Sequence, residues 1–65
     1  MRRKIHDRLR GLLLNRGVDA HVTVERVEFW RVTVRGGYDP CEIHASEVDL
    51  MNLFPEECFE FDVEY

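Results

Sequence analysis

The chain has 65 residues, 45% apolar and 34% charged, with a net charge of −4; that composition excludes a disordered tail and leaves room for one domain, near the lower size at which a core forms unaided. Apolar runs reach only the length of Leu12-Leu13-Leu14, far short of the roughly 20 residues a transmembrane helix needs. The start "MRRKIHDRLRGLLLNRG" stays charged through Arg10 and lacks a small-residue cleavage site, so no secretion signal is read and a cytoplasmic setting is expected.

The first predicted element is a helix over Arg3–Arg16, because Ile5, Leu9, Leu12 and Leu13 recur at the spacing of one apolar stripe. Gly17 is its expected C-terminal stop. At 100° per residue, Arg3, His6 and Arg10 fall on one flank of the stripe, with Lys4 and Arg8 on the other. Leu14 projects among Arg3, Asp7 and Arg10 on the outer side, which marks it as an exposed apolar contact residue.

Two strands are expected next, near Ala20–Arg26 and Glu28–Arg35, from alternating valine, threonine and aromatic residues. Val22 and Val24 share one parity, Val27 and Phe29 the other, and Trp30, Val32 and Val34 return to the first. A turn or bulge between Glu25 and Trp30 is therefore required. Gly36-Gly37 reads as a hairpin turn, and "CEIHAS" as a short third strand.

Ser46 and Asp49 suggest a capping box opening a short helix from about Glu47 to Leu53, with Val48, Met51 and Phe54 turned inward and Pro55 ending it. The last run, Cys58–Tyr65, alternates cleanly: Phe59, Phe61, Val63 and Tyr65 inward, Glu60, Asp62 and Glu64 outward. The expected fold is α+β: a small antiparallel sheet of three to four strands with one N-terminal amphipathic helix packed on it and a short second helix before the last strand.

The distribution of charge carries more than its total. Through Arg35 there are nine basic residues and four acids, a balance of +5; from Gly36 onward there are nine acids and no Lys or Arg, a balance of −9. Glu60, Asp62 and Glu64 would stand about 7 Å apart in one row, with Glu56 and Glu57 beside them. Two arrangements follow. If the last strand lies beside Phe29–Arg35, the outward Arg31 and Arg35 neutralise the row; if it does not, the row projects a field toward a basic partner.

Chemistry-bearing residues are sparse. Cys41-x-x-His44, with Cys58 and His21 or His6, holds zinc-compatible side chains without the two tight ligand pairs of a structural site, so no metal or other cofactor is expected. Cys41 and Cys58 read by default as reduced thiols, with a disulfide between them only if the fold brings their segments together. No oxyanion loop, nucleophile elbow or phosphate loop accompanies the cysteines, histidines or acids. Neither an enzyme nor a membrane protein is expected.

Three binding roles remain. The preferred one is a protein-binding module, an accessory or inhibitory factor whose acidic residues Glu56, Glu57, Glu60, Asp62 and Glu64 meet a basic partner protein. Small phage and mobile-element inhibitors, anti-CRISPR proteins among them, act this way as a class, which is an analogy of mode and not a likeness of residues. The rival is a nucleic-acid-binding protein using Arg3, Lys4, Arg8 and Arg10. A homodimer joined through a sheet edge is the third.

Overall fold

The computed structural model describes all residues, Met1–Tyr65. In chain order the elements are α1 (Arg2–Asn15), β1 (His21–Arg26), β2 (Trp30–Arg35), α2 (Pro40–Leu53) and β3 (Phe59–Glu64). The architecture is the expected α+β, with three strands in the order β1-β2-β3.

α1 forms where its stripe predicts. Ile5, Leu9 and Leu13 are fully buried, and the helix packs against β1 and α2. Its end is a Schellman closure: Gly17, at φ 78°, turns the chain, while the Gly17 and Val18 amides donate to the Leu14 and Leu13 carbonyls. The parity change after β1 is a tight connection over Val27–Phe29, closed by the Val27 amide donating to the Phe29 carbonyl at 2.9 Å. β1 and β2 are antiparallel, Val22 opposite Val34 and Val24 opposite Val32.

The segment after β2 departs from expectation. Gly36, at φ 86°, ends β2, but no hairpin follows; "CEIHAS" is helical and α2 begins at Pro40. The reason is local. Asp39 caps the helix by accepting from the Glu42 amide at 3.2 Å, and Pro40 occupies the first turn, where its missing N–H costs nothing. Ser46 lies inside the helix and its hydroxyl donates to the Glu42 carbonyl at 2.8 Å; it opens no capping box. The buried face of α2 is Ile43, Ser46, Glu47 and Leu50. Val48 and Met51, expected inside, are exposed; Phe54 is half-buried against the core.

Lengthening α2 changes the sheet. A helix of 14 residues returns the chain to the end where β2 began, so β3 runs parallel to β2 and the sheet is mixed, not wholly antiparallel. The core is one cluster of 12 buried residues drawn from both helices, the β1 approach and the inward faces of β1 and β2. Both helices thus cover one face, and the other face is open to solvent.

Arg16 ties the two helices together. It donates to Asp49 at 2.8 Å and Glu42 at 3.5 Å. Its guanidinium is held above its ordinary pKa, chiefly by the hydrogen bond to Asp49.

Candidate binding edge

β3 is the last strand in the sheet, with β2 on one side and nothing on the other. Its alternation is as predicted: Phe59, Phe61 and Val63 toward the helices, Glu60, Asp62 and Glu64 toward solvent. The inward row is only half-buried, in contrast to Val32 and Val34 next to it, which are fully enclosed. Phe59 stacks on Phe61 with ring centroids 5.6 Å apart, and Phe54 meets Phe59 edge-on at 6.5 Å. An aromatic strip therefore follows the open border of the core. Tyr65 lies beyond the strand end and is exposed rather than inward.

The outward row meets the first of the two predicted arrangements. Glu60, Asp62 and Glu64 lie directly beside Arg31, Thr33 and Arg35. Arg35 bonds Glu64 at 2.9 Å, and Arg31 approaches Glu60 at 3.7 Å while also reaching Glu25 at 3.4 Å. Two of the three carboxylates are thus balanced within the monomer, which decides between the two arrangements for Glu60 and Glu64. The cause is the parallel pairing, which sets the cationic positions of β2 level with the acidic positions of β3. Asp62, opposite a threonine, has no cationic partner. Glu56 and Glu57 lie in the turn between α2 and β3, outside the row, beside Leu53, Phe54, Pro55 and Met1; they make no ion pair either.

The cations of α1 divide in the same way. Arg10 is consumed: it bonds Asp19 at 3.1 Å and the Ala20 carbonyl. Arg3 lines an open groove of about 420 Å³ between α1 and the β1 edge, together with Arg2, His6, His21 and Thr23. Lys4 and Arg8 lie on the other flank, Arg8 near Leu53 of α2. None of Arg2, Arg3, Lys4 or Arg8 is ion-paired; Asp7, the one acid on α1, is taken up by His6 at 3.0 Å. Leu14 is exposed as expected, with half of its surface open.

Cys41 and Cys58 are free, exposed thiols. Cys41 and His44 share a helix and not a strand, so they sit about 60° apart around its axis instead of on opposite faces. No cluster of three or more His, Cys, Asp or Glu side chains is placed to hold a metal ion. One titratable group is enclosed: the Glu47 side chain is 9% exposed, with His44 at 4.0 Å. Its Oε2 has no hydrogen-bond partner. Burial raises the Glu47 pKa above its ordinary value, and His44 offsets part of that rise.

Sequence reasoning marked the acidic row but not the half-open aromatic row behind it. The signal was present in three aromatic residues within Phe54–Phe61, in a chain short enough to bury only a modest share of its surface. No helix is long and apolar enough to cross a membrane. No protein-family model matches the chain, no curated protein matches its sequence, and no solved structure matches its fold.

Proposed function

We propose that this protein is a small, non-enzymatic binding module, an accessory or inhibitory factor that engages a basic partner protein through β3 without a cofactor. One observation carries the reading: β3 is an open edge with a half-covered aromatic row on one face and an acidic row on the other, in which Asp62 has no partner. Edge strands left bare invite pairing, and exposed apolar strips rimmed by charge mark contact surfaces. Arg31 and Arg35 moderate the field of the row. The attraction then rests on Asp62, Glu56 and Glu57 more than on Glu60 and Glu64.

Affinity capture with the full chain from its native source, after nuclease treatment, tests the proposal. A protein retained by the wild type and lost by the combined Glu60→Ala, Asp62→Ala, Glu64→Ala variant is the expected result. Equal retention by both removes the acidic row from the function.

A second reading has its own support. Arg2, Arg3, Lys4 and Arg8 carry charge with no carboxylate to balance it, and such residues bind phosphates with strong salt dependence. Titration against unrelated DNA and RNA across salt concentrations separates the two. Steep salt-dependent affinity abolished by Arg8→Glu favours a nucleic-acid-binding protein; weak binding insensitive to that substitution favours the protein-binding module.

A further inference from the structure

We propose that β3 binds its partner by strand addition, taking an extended segment in which apolar residues alternate with Lys or Arg. The inference rests on the protein-binding reading above and specifies its chemistry. The backbone directions come first. The Trp30 amide donates to the Cys58 carbonyl and the Gly36 amide to the Glu64 carbonyl, each at 2.9 Å. Backbone groups alternate in direction along a strand, so the even-numbered positions of β3, including Glu60 and Asp62, are committed to β2. The N–H and C=O groups of Phe59, Phe61 and Val63 therefore point to the open edge, and the half-buried side chains belong to these same three residues.

An added strand would gain on both faces. Residues opposite one another in neighbouring strands share a face whether the pairing is parallel or antiparallel. Apolar residues of the incoming segment would extend the cover over Phe59, Phe61 and Val63. Its other residues would stand beside Glu60, Asp62 and Glu64. Across the outer face the rows run Glu25-Arg31-Glu60, Thr23-Thr33-Asp62 and His21-Arg35-Glu64. A cation next to Glu60 continues an alternation of sign, and a cation next to Asp62 supplies the partner that residue lacks.

The same rows disfavour a second copy of this chain as the occupant. The two-fold antiparallel pairing that closes a dimer, centred on Phe61, sets Glu60 beside Asp62 of the other copy, and does so twice. Centred on Asp62, it sets that carboxylate against its own copy and Glu60 against Glu64. Like charges directly opposed destabilise a sheet, so the edge repels itself while it attracts a basic strand.

Two synthetic peptides of equal composition test the inference, one alternating valine and phenylalanine with lysine, the other carrying the same residues in an apolar block and a lysine block. Each is titrated into the full chain while amide hydrogen exchange is followed. The alternating peptide is expected to bind about tenfold more tightly and to slow exchange at Phe59, Phe61 and Val63, leaving Glu60 and Asp62 unchanged. Asp62→Asn should weaken it by about twofold to fivefold. Equal binding of both peptides without protection of those amides overturns strand addition and leaves the acidic protein-binding reading standing. Failure of both peptides to bind also overturns strand addition, while the capture experiment above decides the broader reading separately. Concentration-dependent protection of the same amides without peptide assigns the edge to a second copy and overturns the proposal.

Discussion

The two borders of the sheet are strands of equal length that were finished differently. On β1 the inward Val22 and Val24 are buried beneath α1, and the helix brings Arg2, Arg3 and His6 alongside that edge. On β3 the inward Phe59, Phe61 and Val63 carry more apolar surface yet are only half-covered. A core this small has two helices to spend on three strands, and it closes the β1 side first. The incomplete border is where binding would add most to stability, because apolar area still exposed is area a partner can remove from water.

The costliest substitution lies on the closed side. Leu9→Ala, beneath α1 where Leu9 is fully buried, should cost about 3 kcal/mol, visible as a lowered denaturant midpoint or loss of folding. On the open side Phe61→Ala should cost less than the 3–5 kcal/mol typical of an enclosed phenylalanine, about 1–2 kcal/mol, because its ring already meets solvent. If the two variants lose equal stability, the contrast between borders fails. Asp39→Ala removes the α2 cap and should cost about 1 kcal/mol, readable as a smaller midpoint shift with exchange rising first at the start of α2.

Glu47→Gln changes a slope more than a size. With its folded pKa raised by burial, Glu47 binds its proton more tightly folded than unfolded. Its stabilising contribution is therefore full below the ordinary value of about 4.5 and is lost as pH rises through the raised value. The wild type should lose stability across that window relative to Glu47→Gln, which should be the flatter of the two in thermal melts across pH. A wild-type profile that instead gains on the variant with rising pH contradicts the burial of this carboxyl.

Much of the candidate edge could be read in advance. The two-residue alternation of Phe59–Glu64 placed aromatics on one face and acids on the other, and the Ile5, Leu9, Leu13 stripe defined α1, because each pattern is local and each repeats. α2 was misread at its start for the opposite reason. Cys41–His44 is too short to tell a strand period from a helical one, and the deciding signal, Asp39 followed by Pro40, lies outside it.

Local pattern alone therefore assigned the faces of α1 and of the three strands and the separation of charge along the chain, while the face of α2 and the position of Tyr65 escaped it. Tertiary structure alone decided which strands are neighbours. Periodicity records direction relative to one backbone and carries nothing about the next, so the parallel pairing that brings Arg31 beside Glu60 and Arg35 beside Glu64, and leaves Asp62 opposite Thr33, came only from the path of α2 across the sheet.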